Sequence, residues 1–182
     1  MPSEPPAAQS VASAFANAPI AVFCSQSCPG DIILKAQDWA NKQGPGSAPV
    51  IGGFHTPVER DVLRILLRSN APVIIVLARA AQGWRAPKPL GPAIKAAVAA
   101  GTAQVVSPFP ASQTRTTATA AEARNRHILT LCNTVLIAHA STGGKTEVLA
   151  AEAIARGLHV ETLESLANAN LLALGATTGS MR

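Results

Sequence analysis

The sequence predicts an α/β protein with a Rossmann-like, doubly wound and mostly parallel sheet that carries helices on both faces. Short apolar runs alternate with helical patterns along most of the chain. One of these runs, PVIIVLA at 72–78, is continuously apolar, which is typical of a strand covered on both faces. Alternating strands and helices favour a parallel sheet with right-handed crossovers. We therefore expect one domain over 19–175, with tails at 1–18 and 176–182.

The individual elements follow from local patterns. Apolar runs predict strands at 20–24, 48–53, 72–78, 103–107, 134–140 and 158–163. Helical patterns lie at 30–43, from Thr56 onward, and at 91–100, 117–131 and 144–156. The helix after the second strand has the clearest start, because Thr56, Pro57 and Glu59 form a capping box with proline in the first turn. The Pro-rich segments 80–90 and 107–116 are expected to be surface connections.

The charge pattern indicates a polyanionic partner. The chain has 182 residues and a net charge of +5, and no acidic residue occurs between Asp61 and Glu122. The basic residues of that interval are Arg64, Arg68, Arg79, Arg85, Lys88, Lys95 and Arg115. A one-signed stretch of this length favours nucleic acid or a phosphorylated ligand. A solvated basic surface without a specific partner is the alternative interpretation.

Composition also excludes several classes of protein. No run of about 18 uncharged apolar residues is present, so we expect no membrane span. The N-terminus carries Glu4 and lacks the basic residue that a secretory signal needs. Three cysteines suggest a reduced, cytoplasmic setting. Neither the cysteines nor the four histidines have metal-binding spacing, so we expect neither a metal nor a cofactor.

The segment HASTGGKT at 139–146 ends like a nucleotide-binding P-loop, but His139 stands where the first glycine belongs. The segment follows a predicted strand and opens a predicted helix. Its glycines allow close backbone approach, and the start of a helix presents free N–H groups to an anion. The phosphate-binding candidates in it are Ser141, Thr142, Gly143, Gly144, Lys145 and Thr146. An ordinary capped helix start is the alternative, and a working ATPase loop is not favoured.

Two further strand ends have a similar composition. Gly52 and Gly53 follow the second strand and precede the capped helix, while Ser25 and Gln26 follow the first strand. The carboxyl ends of parallel strands lie along one edge of a sheet, where such folds bind ligands. We therefore expect the three loops to converge on one groove.

The segment EARNRH at 122–127 is the sharpest basic cluster. Successive residues of a helix project about 100° apart, so Arg124, Asn125 and Arg126 cannot share one face. One arginine could reach the groove while the other pairs with Glu122 or a neighbour. Guanidinium groups suit phosphate oxygens, and we add Arg115 to these candidates. The alternative is a solvated helix face.

Catalysis is not expected from the residues themselves. Glu59 and Glu147 are the acids placed near the predicted groove, and both have capping or helix-dipole explanations. Aromatic residues make up 3% of the chain, so single-stranded nucleic acid would be held mainly through its phosphates. Trp84 and Phe54 are the aromatic residues to test for base contacts.

These motifs together resemble the DNA-processing protein A (Smf) family, within the Rossmann-like group that includes the LOG proteins. The resemblance covers roughly 20–163. Its pieces are the Ser/Gln loop after the first strand, GGFHTPVE (52–59), SPFP (107–110) and ARNRHILTLCNTVLIAHASTGG (123–144).

The resemblance implies an extended Rossmann fold, often dimeric, that binds single-stranded DNA without catalysis and hands it to a recombinase. It implies a pocket lined by Gly52, Gly53, Arg124, Asn125, Arg126, Ser141 and Gly143. The chain departs from the family pattern at Gln26, where an arginine is usual, at Pro108, where an acid is usual, and at Lys145.

Two other functions are open. One is a sensor or carrier of a nucleotide or another phosphorylated small ligand. The other is a LOG-like phosphoribohydrolase of nucleoside monophosphates, whose P-G-G-x-G-T-x-x-E motif is matched only in part at 141–147.

Overall fold

The computed structural model describes residues 15–179, so residues 1–14 of the predicted N-terminal tail lie outside the described part. The strands are β1 (Ile20–Cys24), β2 (Val50–Gly52), β3 (Val73–Val76), β4 (Ala103–Val106), β5 (Thr134–His139), β6 (His159–Thr162) and β7 (Thr177–Thr178). The helices are α1 (Gly30–Asn41), α2 (Pro57–Arg68), α3 (Gly91–Ala99), α4 (Ala118–Ile128), α5 (Lys145–Ala155) and α6 (Ala169–Leu174). A 3₁₀ turn, Leu166–Asn168, leads into α6.

The strands form one parallel sheet in the order β4-β3-β2-β1-β5-β6-β7. The chain moves outward from β1 to β4, then returns to the other side of β1 and moves outward again. The order therefore reverses between β1 and β5, which leaves a crevice at the carboxyl ends of these two strands. The predicted Rossmann-like α/β fold is confirmed.

The two faces of the sheet carry separate cores. In β1, Val22 and Cys24 pack with residues of α1, α2 and α3, while Ala21 and Phe23 pack with residues of α4, α5 and α6. This alternation follows from the two-residue period of a strand. It explains why the strand sequences are apolar at nearly every position, as the sequence predicts.

The sheet continues into the segment that the sequence assigned to a C-terminal tail. Thr177 and Thr178 pair in parallel with Glu161 and Thr162, and Ala176 is buried. The difference has a physical reason, because a two-residue strand of exposed threonines has no apolar pattern to detect. No helix within residues 15–179 is long and apolar enough to cross a bilayer.

Candidate functional site

A cavity of about 730 Å³, here called the first cavity, lies at the carboxyl ends of β1 and β5. The three strand-end loops that were expected to converge all contribute to it. Gln26 comes from the loop after β1, His55 and Thr56 from the loop after β2, and Gly143–Thr146 from the start of α5. The α4 side of the cavity carries both arginines of the basic cluster.

The structure brings together most of the residues predicted for the site. The first cavity is lined by Gln26, Arg124, Asn125, Arg126, Gly143, Gly144, Lys145 and Thr146. The other predicted residues, Ser25, Gly52, Gly53, Arg115, Ser141 and Thr142, do not line it. Two of these connect the loops instead, because the Ser141 amide donates to Ser25 Oγ over 2.9 Å. That bond joins the loops that follow β1 and β5.

Arg124 is a buried cation whose side chain is only 5% exposed. Its Nη1 donates to the Val76 carbonyl over 3.2 Å, and its Nε donates to Asn125 Oδ1 over 2.7 Å. A methyl group added at Gly53 would lie 1.9 Å from Nη1, so this glycine makes room for the guanidinium. Burial lowers the pKa of Arg124, and the nearby Glu59 carboxylate opposes that shift.

Arg126 lies on a different face of α4, as its spacing from Arg124 predicts. Its Nε donates to Glu152 Oε2 over 2.9 Å, and its Nη2 donates to Glu152 Oε1 over 2.8 Å. Glu122 lies 3.8 Å from Nη1 on the other side. Glu152 raises the pKa of Arg126 through this bidentate pair. One arginine of the cluster is therefore buried between elements, and the other is paired with carboxylates at the cavity rim.

Glu122 is the acidic residue at the cavity that sequence reasoning did not place there. Its Oε1 lies 2.6 Å from Lys145 Nζ, which lowers the pKa of Glu122. Its spacing of four residues from Arg126 could have predicted the contact between these two side chains. No sequence pattern predicts the contact of Glu122 with Lys145, which lies at the start of another helix. The lysine of the P-loop-like segment is thus paired with a carboxylate.

Glu59 organises the loops and is not free to act as a base. This buried carboxylate accepts hydrogen bonds from the amides of Cys24 (3.0 Å), His55 (2.7 Å) and Thr56 (3.2 Å). The Glu59 amide in turn donates to Thr56 Oγ1 over 3.4 Å, which confirms the predicted capping box. The start of α2 is therefore satisfied by its own side chains.

The start of α5 is different, because its N-cap residue is Gly144, which has no side chain to accept hydrogen bonds from the first amides of the helix. Gly143 has a φ of +73°, a backbone conformation that favours glycine. Its amide donates to Glu147 Oε1 over 3.1 Å, and Asn170 donates to the other oxygen of that carboxylate. These two bonds lower the pKa of Glu147 and hold its carboxylate outside the cavity lining. The helix start beside Lys145 therefore suits an anion.

Cys24 also borders the first cavity. Burial raises the pKa of its thiol, which is opposite to the shift of an activated nucleophile. Among residues 15–179 no group of three or more His, Cys, Asp or Glu side chains is placed to hold a metal ion. The arrangement is suited to binding an anion.

Comparison with known proteins identifies the fold. No family model and no curated protein sequence matches the chain. The structure of DNA processing protein A (DprA) from Streptococcus pneumoniae superposes with a TM-score of 0.71 at 18% identity, over 88% of this chain and 58% of that one. DNA processing protein A from Helicobacter pylori, described in a study of its single-stranded DNA binding mode, gives 0.70 at 15% identity, over 90% of this chain and 75% of that one.

A third structure, the Moco Carrier Protein from Chlamydomonas reinhardtii, gives a TM-score of 0.55 at 15% identity, over 88% of this chain and 86% of that one. The chain thus has the Rossmann-like fold of DNA processing protein A, as its motifs predict, and spans 58% of the length of the pneumococcal protein.

Proposed function

We propose that this protein binds single-stranded nucleic acid through its phosphates at the first cavity, without catalysing a reaction. The observation that carries the proposal is the meeting of buried Arg124 with the uncapped start of α5 at one cavity. The shared fold supports it, since the Helicobacter pylori protein with this fold binds single-stranded DNA.

A phosphate group at this position would accept hydrogen bonds from the first amides of α5 and interact with Lys145. Because Lys145 is paired with Glu122, the phosphate has to compete with that carboxylate. The same competition applies to Arg126, which is paired with Glu152. Binding built on such exchanges of ionic partners is strongly dependent on salt.

The proposal extends to the biological setting that the family resemblance implies. We propose a role in DNA processing or recombination in the cytoplasm, with a second copy of the chain and a recombinase as partners. Free Cys24, Cys28 and Cys132 are consistent with a reducing compartment.

The test is fluorescence anisotropy with a labelled oligothymidylate at low and at near-physiological salt. We expect a dissociation constant in the micromolar range or below that rises steeply with salt. Lys145→Ala should weaken binding and lower the salt slope by about one. Lys42→Ala is the matched control. Lys42 is an exposed lysine at the C-terminal end of α1, and it does not line the first cavity. Absence of binding at low salt, or equal losses in both variants, would remove the first cavity from consideration.

Glu122→Gln tests the same site in the opposite direction. The neutral amide no longer holds Lys145, so the affinity for oligothymidylate should rise about two- to fivefold. The variant also removes the weaker contact with Arg126. A decrease in affinity would show that Glu122 positions Lys145 for the ligand instead of competing with it.

A phosphorylated small ligand is the second candidate, and the size of the cavity favours it. About 730 Å³ lies within the range of small-molecule sites. The carrier protein from Chlamydomonas reinhardtii has a related fold. Displacement of the labelled strand by equimolar mononucleotide would favour this function. Release of the base from a nucleoside monophosphate would instead indicate the hydrolase.

A further inference from the structure

The segment after β6 contacts the end of β5 through two asparagines, Asn168 and Asn170. Asn168 is fully buried, and its side-chain amide donates to the carbonyls of Ala138 and Leu163, each over 2.9 Å. Its Oδ1 lies 2.8 Å from Nδ1 of His139, the residue that stands where a P-loop has its first glycine. Because the amide nitrogen of Asn168 is used by the two carbonyls, Nδ1 of His139 carries the proton of this bond. The segment leading into α6 is therefore fixed to β5.

Two residues further on, Asn170 contacts the loop that opens α5. Its side-chain amide donates to the Ala140 carbonyl over 3.0 Å and to Oε2 of Glu147. The other carboxylate oxygen, Oε1, accepts from the Gly143 amide over 3.1 Å. The Glu147 carboxylate is therefore held through both of its oxygens, outside the lining of the first cavity.

The position of this carboxylate matters because Glu147 is the third residue of α5. A glutamate at that position commonly turns back toward the start of its own helix, as Glu59 does at the start of α2. The first amides of α5, beside Lys145, have no acceptor within the helix, and Gly144 has no side chain that could supply one. A carboxylate turned toward these amides would take the place proposed for the phosphate and would repel it.

We propose that Asn170 is a positioning residue of the phosphate site. Its hydrogen bond holds the negative charge of Glu147 at the Gly143 amide, and the start of α5 is thereby left open to a phosphate. The site is more than a helix start, because the buried guanidinium of Arg124 lines the same cavity. This inference rests on the proposed function, since it concerns how the same site stays free of the protein's own acid. It also gives a role to the segment after β6, which lies outside the cavity lining.

A double-mutant cycle tests this role, with the binding of labelled oligothymidylate measured by fluorescence anisotropy. In Asn170→Ala the Glu147 carboxylate loses one of its two hydrogen bonds and can turn toward the start of α5, so the affinity should fall about three- to tenfold. In the Glu147→Gln background the competing charge is absent, so the same substitution should change the affinity by less than about twofold. A purely structural role of Asn170 would give equal losses in both backgrounds.

Asn170→Asp gives the same test with a side chain of the same size, should Asn170→Ala fail to fold. Its carboxylate repels that of Glu147, so the affinity should fall at least as far as in Asn170→Ala. Glu147→Gln should restore part of this loss, because the glutamine amide can donate to the new aspartate. A loss that Glu147→Gln does not reduce would contradict the proposal.

Asn133→Ala is the matched control, because Asn133 is an exposed asparagine just before β5, at the end of that strand opposite the first cavity. This variant should bind oligothymidylate as the wild-type protein does. Urea denaturation of each variant shows that the binding measurements are made on folded protein.

The outcomes separate the two claims. Equal losses for Asn170→Ala in both backgrounds, or no loss in either, would overturn the positioning role and leave phosphate binding intact. If the wild-type protein does not bind oligothymidylate, the proposed function fails and the positioning role fails with it.

Discussion

The starts of α2 and α5 have similar sequences and different structures. Each follows a strand, contains two adjacent glycines and has a glutamate at the third helical position. At α2, Thr56 and Glu59 occupy the amides at the helix start. At α5, Gly144 offers no cap, and Glu147 takes one amide, that of Gly143.

The comparison of the two helix starts shows that a pair of glycines after a strand can serve different purposes. Such a loop favours an anion only where the helix's own side chains leave its amides free. In the α2 loop Gly53 serves a different purpose, because it admits the guanidinium of Arg124. One loop therefore makes room for Arg124, and the other lines the first cavity.

Replacing the two glutamates should give the largest contrast. Glu59→Ala leaves three backbone amides without their acceptor in a buried position, so we expect a loss of about 3 to 5 kcal/mol in the free energy of unfolding. Glu147→Ala should cause a clearly smaller loss, because the α5 loop is exposed. Urea denaturation of both variants measures the contrast, and equal losses would contradict the distinction between the two helix starts.

Replacing one glycine in each loop sharpens the comparison. In Gly53→Ala the new methyl group displaces Arg124 from Val76, and we expect a loss of about 1 to 3 kcal/mol. In Gly143→Ala the methyl group meets open space, and the positive φ alone costs about 1 to 2 kcal/mol.

A double-mutant cycle identifies the cause. Gly53→Ala should destabilise the protein much less when Arg124 is already alanine, since the clash is then absent. Gly143→Ala should have the same effect in both backgrounds. Additive losses for Gly53 would mean that this glycine has some role other than accommodating Arg124.

The smallest expected effect concerns pH. Hydrogen bonds from Asn170 and Gly143 hold the pKa of Glu147 below its usual value. A carboxylate with a lowered pKa in the folded state stabilises the protein above its unfolded pKa, and this contribution is lost as pH falls through the folded value. Below about pH 4.5 the wild-type protein should therefore lose stability more steeply than Glu147→Gln. Parallel curves from urea denaturation at several pH values would show that the carboxylate does not contribute.

The sequence predicted the fold and much of the first cavity because those features depend on local patterns. Apolar runs marked β1 to β6, and the helical angle between Arg124 and Arg126 predicted that they lie on different faces. The pairing of Glu122 with Lys145 joins the middle of α4 to the start of α5. No spacing rule reports such a contact, which depends on how α4 and α5 pack.

The cavity of about 540 Å³ at the carboxyl ends of β2 and β3 shows the same limit more clearly. The segment 80–90 has no periodicity, so the sequence did not predict that Trp84 and Arg124 line the same cavity. Gly52 and Gly53 were assigned to phosphate binding by their position at a strand end before a capped helix and by the family resemblance. The structure assigns Gly53 to accommodating a side chain, which only three-dimensional contacts reveal.

The short last strand has a consequence for solubility. Unpaired amides and carbonyls at a sheet edge can recruit a strand from another molecule, and long flat edges are the most prone to aggregate. Here one edge of the sheet is β7, only two residues long, and the other is the four-residue β4. Both edge strands are short, so they offer few free backbone groups for pairing with a strand of another molecule. Within residues 15–179, Thr177 and Thr178 thus leave few backbone groups on their side of the sheet to which a strand of another molecule could pair.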